Sequence, residues 1–160
     1  MEIRLAGRED IPELMRLLYQ VGDVHHQIRP DIFRSGAIKY EAQDLEELLQ
    51  DEKRPVFAAM EGDLMLGYCF CQWNCYQGST VLADRTELYI DDLCIDAESR
   101  GTGVAQALFR HAKDYAAAQG CQFVSLNVWC GNDRAMRFYE KMGMKPRSIT
   151  MDLSLEEPEC

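Results

Sequence analysis

The stretch Arg100-Gly101-Thr102-Gly103-Val104-Ala105 holds two glycines just ahead of an apolar-periodic run. Glycine removes the Cβ where a backbone must come close to a ligand. A helix that begins there presents unpaired N–H groups and roughly half a positive charge at its N-terminus. The stretch therefore reads as an anion cradle suited to a pyrophosphate, with Arg100 as a cation at its mouth. No Lys-Ser/Thr follows the glycines, which excludes a P-loop, and the third glycine of a dinucleotide fingerprint is lacking. Three carboxylates, Glu87, Asp91 and Asp92, precede the cradle on one β-patterned run. Strict alternation sets Glu87 and Asp91 on one face of that strand and Asp92 on the other, unless a bulge intervenes.

The elements that must position these residues follow from periodicity. Glu2–Ala6 reads as a short strand, Glu9–Val21 as a helix with an apolar stripe, and 25–40 as a loop region. A helix over 40–51 precedes a hairpin of strands 55–60 and 64–74 turned at Glu61-Gly62-Asp63. The strand 87–96 then runs into the glycine turn and a helix over 103–119, closed by Gly120. A strand over 122–129, a helix over 132–142 and a closing strand over 149–155 complete the order β-α-α-β-β-β-α-β-α-β. Without linker, repeat or low-complexity stretch, residues 1–160 are expected to make one α/β domain around a mixed sheet.

The composition narrows the class. Lys and Arg number 17 against 27 Asp and Glu, a net charge of −10, which argues against a nucleic-acid phosphate track. The same balance suits a cationic acceptor, although an acidic surface also serves solubility alone. No apolar run reaches the ~18 residues of a membrane span, and the N-terminus carries no signal-peptide pattern, so a cytoplasmic protein is the expectation. Seven cysteines without a CxxC pair read as reduced packing residues, with no metal site expected. Among the histidines, His25 and His26 fall in the first loop region and His111 borders an apolar helix face.

Two blocks in fixed order carry a family resemblance. Arg100-x-x-Gly103-x-Ala105 resembles the Arg/Gln-x-x-Gly-x-Gly/Ala signature of the GNAT superfamily of N-acetyltransferases, in particular its bacterial-type members acting on small substrates. About 30 residues on, the block from Asn132 to Met144 resembles that family's Asn-x-x-Ala-x-x-Phe-Tyr-x-x-x-Gly-Phe segment, with Met144 in place of the commoner phenylalanine. The resemblance implies a mixed, mostly antiparallel sheet, splayed between its fourth and fifth strands, flanked by helices, with acetyl-CoA in the gap. It further implies that Leu93, Cys94 and Ile95 meet the acetyl-pantetheine arm. Arg100, Gly101, Thr102, Gly103, Val104 and Ala105 would hold the pyrophosphate, Asn132 would contact the arm, and Tyr139 would sit near the sulfur.

The implied reaction is direct attack of a primary amine, on a small molecule or peptide, on the thioester. An alkylammonium with a pKa near 10.4 must first lose a proton, at a cost of about 4.6 kcal/mol at pH 7. Glu87, Asp91 and Asp92 are the candidate bases, acting directly or through water. Glu87 stands 14 residues before Gly101, similar to the catalytic glutamate of histone-acetylating relatives, and Asp91-Asp92 resembles the Glu-Asp pair of polyamine-acetylating ones. The residues leave the choice open. Tyr139 is the candidate donor to the departing thiolate. Protein N-terminal or lysine acetylation and a non-catalytic acyl-CoA-binding role are the alternatives. Similar proteins commonly form homodimers, but no residue of the sequence fixes that state.

Overall fold

In the computed structural model, which describes residues 1–155, a single sheet has the strand order β1-β2-β3-β4-β5. The strands are β1 (Glu2–Leu5), β2 (Val56–Glu61), β3 (Leu64–Tyr76), β4 (Arg85–Ile95) and β5 (Phe123–Leu126). The first four pair antiparallel and β5 pairs parallel to β4, as a crossover through an intervening helix requires. The helices are α1 (Ile11–Ile28), α2 (Ala42–Leu48), α3 (Val104–Ala118) and α4 (Asp133–Lys141). The expected fold class, a mixed and mostly antiparallel sheet flanked by helices, is what these elements build.

Alternation along β3 divides the core into two. Tyr68 and Phe70 point toward α1 and α2, where they pack with Leu14, Leu17, Leu18 and Leu45. Cys69 and Cys71 point the other way, into a cluster with Leu108, Phe109 and Ala112 of α3. Their sulfurs lie 3.6 Å apart as unbonded thiols, and Cys69, Cys71 and Cys94 are all buried. These three cysteines pack as small apolar residues, as the sequence predicts. Where β1 meets α1, Asp10 is 5 % exposed and accepts from the Arg4 guanidinium at 2.7 and 2.9 Å and from the Gly7 N–H at 2.7 Å. Arg4 holds the Asp10 carboxyl below the usual carboxylate range, against the opposing effect of burial.

Three expected boundaries differ. Helix α1 runs to Ile28, so His25 and His26 are helical rather than part of a loop. Its end is set by Pro30, which disfavours helical geometry one residue earlier; Arg29 sits at φ −135°, ψ 72°. Gly22 stays within the helix because the chain returns across it: a Cβ there would lie 2.3 Å from the Ala37 carbonyl oxygen. Strand β5 is four residues long, ending at Leu126 where its pairing with β4 stops. The closing strand expected over 149–155 enters no sheet among the described residues, and Ile149, Met151, Leu153 and Leu155 are exposed.

Candidate active site

The site originates in a fault in the sheet. Strand β4 pairs with β3 at Ile90↔Cys71 and again at Asp92↔Phe70, leaving Asp91 as an extra, unpaired residue. On its other side β4 pairs with β5 only from Glu87 to Ile90. Past Ile90 the two parallel strands part, and the gap between them is a cavity of about 590 Å³. Leu93, Cys94 and Ile95 line one wall, and Asn127, Val128 and Trp129 of the chain leaving β5 line the other.

The extra residue also reverses which face each side chain takes. Leu88 and Ile90 pack beside α3, yet Cys94, an even number of residues further on, packs beside α1. Asp92 is carried to the α1 side with Cys94, where Tyr68 donates to its Oδ2 at 2.8 Å. The strict alternation that separates Asp92 from Glu87 is therefore corrected by the bulge.

The three acids meet different fates. Glu87 is 2 % exposed and accepts from Arg147 at 3.1 Å and from the Tyr76 hydroxyl at 3.2 Å. It does not line the cavity. Asp91 does, but its oxygens are committed: Lys39 Nζ donates at 2.7 Å and Tyr40 Oη at 2.5 Å, with Arg54 donating to Tyr40 at 3.0 Å. Asp92 lines the same cavity with Tyr68 as its hydrogen-bond donor. Burial pushes the Asp92 carboxyl above the ordinary range, and the Tyr68 hydrogen bond and the charges of Lys39 and His25 offset only part of that effect. Burial likewise pushes the Tyr68 phenol well up, so it remains a donor.

The glycine turn has the geometry its residues require. Gly101 and Gly103 take φ values of 80° and 92°, in the left-handed region that side chains with a Cβ disfavour. A Cβ at either would meet nothing within 4 Å, so conformation rather than crowding selects glycine. Thr102 ties the turn down by donating to the Ser99 carbonyl at 2.6 Å. Gly103 caps α3, whose first backbone bond runs from Ala107 N–H to the Gly103 carbonyl. Val104, Ala105 and Gln106, in the first turn of α3 where N–H groups lack a partner within the helix, line a second hollow of about 300 Å³. Arg100, Arg134 and Lys141 border it, and none of the three makes an ion pair among the described residues. Arg134 and Lys141 escaped the sequence reading. With Phe138 they fall at i, i+4 and i+7 on α4, a spacing that puts them on one helix face.

Tyr139 lines the larger cavity, next to Phe138, which borders both hollows. Its ring packs on Phe138 and Phe109, with centroids 5.1 and 6.1 Å away, and its hydroxyl makes no hydrogen bond among the described residues. Burial pushes the phenol up, so it stays protonated and able to donate. Asn132 caps α4 by accepting from Ala135 N–H at 3.2 Å, which leaves its amide N–H₂ for the cavity it lines. Of the Leu93–Ile95 backbone, the Ile95 carbonyl is already taken by Gln20 Nε2 at 2.9 Å. The Cys94 thiol is pushed up to about 12, chiefly by burial, and packs as an apolar group. At the far end, His25 stacks on Phe33 at 4.9 Å and Phe33 meets Trp129 edge-on at 5.0 Å, an aromatic wall. His26 instead contacts the Phe33 carbonyl at 2.7 Å, and His111 packs against Phe57 at 4.7 Å.

The arrangement can hold an anionic, elongated ligand along the splay, with a carboxylate and a phenol at its inner end. Comparison with known proteins agrees with that shape. Residues 22–144 match the model of the acetyltransferase (GNAT) family. N-alpha-acetyltransferase 30 of Schizosaccharomyces pombe is 32% identical over 87 residues, covering 54% of this chain and 55% of the yeast protein, so the match spans about half of that relative's length. A tetramutant of the BH1408 protein from Bacillus halodurans superposes with a TM-score of 0.92 at 31% identity, over 97% of this chain and all of that one. An acetyltransferase from Vibrio fischeri gives a TM-score of 0.65 at 27% identity, over 79% of this chain and 96% of that one.

The left-handed turn yields a direct prediction. Gly103→Ala is expected to lower folding stability by about 1 kcal/mol in urea titrations. It is also expected to weaken the capture of inorganic pyrophosphate in calorimetry, because the α3 N–H groups lose their alignment.

Proposed function

The chain belongs to the acetyltransferase (GNAT) family, and from that premise we propose that it transfers the acetyl group of acetyl-CoA to a primary amine by direct attack on the thioester. The observation that carries the reading is the meeting of Asp92 and Tyr139 in one cavity, at the place where β4 and β5 part. The pyrophosphate would lie on the α3 N-terminus with Arg100, Arg134 and Lys141 around it. The pantetheine arm would run along Leu93–Ile95 and past Asn132, reaching Tyr139 at its sulfur end.

Asp92 is the general base in this reading. Its raised pKa brings it closer to that of an ammonium, which improves proton acceptance. Asp91 serves instead to position the acceptor wall, because Lys39 and Tyr40 occupy its oxygens. Glu87 acts through structure, anchoring Arg147. The neutral Tyr139 phenol donates a hydrogen bond to the thiolate as it leaves, in surroundings that exclude water and so strengthen that bond. The acceptor is a primary amine on a small molecule or a peptide; the likeness to N-alpha-acetyltransferase 30 favours keeping peptide N-termini as the second class.

Thiol release from acetyl-CoA, followed over a panel of small primary amines and short peptides, tests the activity. Turnover with at least one acceptor is expected, and tight CoA binding without any turnover would replace the enzyme by an acyl-CoA-binding protein. Tyr139→Phe is expected to lower kcat about a hundredfold with a smaller change in the KM for acetyl-CoA; an unchanged kcat removes Tyr139 from the reaction. Asp92→Asn is expected to lower kcat/KM by about a hundredfold or more. In the parent protein kcat/KM should rise with pH along a limb that lies above the ordinary aspartate value near 3.9. An aspartate whose pKa is raised on folding costs stability once pH exceeds its unfolded value. Asp92→Asn should therefore melt higher than the parent at pH 7 and lose that advantage at pH 3.

A further inference from the structure

The aromatic wall of the cavity is built from two separate stretches of chain that lock together. Phe33 is held at both ends of its backbone: its N–H donates to the Arg29 carbonyl at 2.9 Å, and its carbonyl meets His26 Nδ1 at 2.7 Å. The Trp129 carbonyl accepts from Asn132 N–H at 3.0 Å. Between those two residues Gly131, at φ 96°, lets the turn close on α1, since a Cβ there would stand 3.1 Å from Ile28 Cγ2. The Phe33 and Trp129 rings cross at 88°, which leaves a corner beside them. His25, Phe33 and Trp129 all line the cavity, and Trp129 stays 40 % exposed. Asp92 lies within electrostatic reach of His25, so the corner and the carboxylate share one end of the cavity.

Charge decides what that end accepts. Among the described residues the only carboxylates lining the cavity are Asp91 and Asp92, and Lys39 neutralises the first at 2.7 Å. Arg34 lines it too and makes no ion pair among the described residues. The chain's net charge of −10 therefore does not extend into the cavity. One ammonium finds one carboxylate there, whereas a second meets the like charges of Arg34 and Lys39 with no free acid to pair with. We propose that the acceptor is a monoamine whose amino group is joined by an alkyl chain to a neutral aromatic ring, the ring seated in the corner of Phe33 and Trp129. The proposal rests on the acetyl transfer argued above and narrows its acceptor. A third ring in the corner stacks offset on one of the two and turns its edge to the other, both favoured aromatic contacts. A remote ammonium on the same rings would gain a cation–π contact but would stand among cations.

Thiol release from acetyl-CoA with phenethylamine, butylamine, spermidine and a short peptide tests the proposal, with calorimetry of each amine on the CoA-loaded protein. The kcat/KM for phenethylamine is expected to exceed that for each of the others by about tenfold or more. Phe33→Leu and Trp129→Leu keep an apolar side chain and remove a ring. Each should lower the ratio of kcat/KM for phenethylamine to that for butylamine about tenfold, chiefly through the KM of the aromatic amine. A general defect in folding lowers both rates and leaves their ratio, so a ratio unchanged in both variants overturns the proposal. Spermidine, butylamine or the peptide as the best acceptor overturns it as well. If no amine is turned over, acetyl transfer itself falls and calorimetry decides the ring site alone. Phenethylamine binding more tightly than butylamine and spermidine then upholds the site, and equal or absent binding overturns it.

Discussion

Strand β4 carries one residue more than β3 can pair between Ile90 and Asp92, and the consequences of that residue reach across the molecule. A bulge tightens local twist and bends the strand that holds it. Here it coincides with the point where β5 stops following β4, so the sheet opens at the place where a carboxylate has just been turned to the α1 side. Were the ladder continuous, Asp92 would face α3 with Leu88 and Ile90, on the opposite face from Tyr68. The cavity and the orientation of its acid therefore share one cause.

Electrostatics then divides the site into two ends of opposite character. The chain as a whole carries −10, yet the hollow at the α3 N-terminus is bordered by Arg100, Arg134 and Lys141 and by backbone N–H groups. Cations gathered on an otherwise acidic surface make a locally focused field, which favours an anionic ligand there and repels it elsewhere. At the inner end the cations Lys39 and Arg54 are bound up with Asp91 and Tyr40, so Asp92 is left with a neutral donor. A carboxylate without a direct cationic partner keeps its basicity, whereas an ion-paired one loses it. The contrast between adjacent residues 91 and 92 lies in their partners, not in their chemistry.

Features that depend on a few neighbouring residues were legible in the sequence. The glycine turn at 101–103 ahead of α3 and the helix over 132–142 that carries Tyr139 are local features. What resisted reading depends on partners distant in the chain. A bulge is a mismatch between two strands, and nothing within 87–96 announces it. Arg147, which occupies Glu87, lies 60 residues away, and Lys39 and Tyr40, which occupy Asp91, lie 52 and 51 away. Helix α1 runs past its expected end at Val21, through Gly22. In the fold it is the gap that lets the Arg34–Lys39 segment pass over the helix and wall the cavity.

Tyr139 and Asp92 line one cavity, and burial is the largest influence on the proton affinity of both. Desolvation disfavours the charged form of both groups, so each pKa moves in the same direction, upward. For the phenol the shift deepens its hold on a proton, which suits a hydrogen-bond donor to a departing thiolate and excludes a role as a general acid that must give the proton away. For the carboxylate the same shift increases affinity for a proton that an incoming ammonium must lose. In the proposed roles, the same effect of burial suits an acid of low pKa to accepting a proton and an acid of high pKa to donating a hydrogen bond. A cation bonded directly to Asp92, as Lys39 is to Asp91, would lower its affinity for a proton.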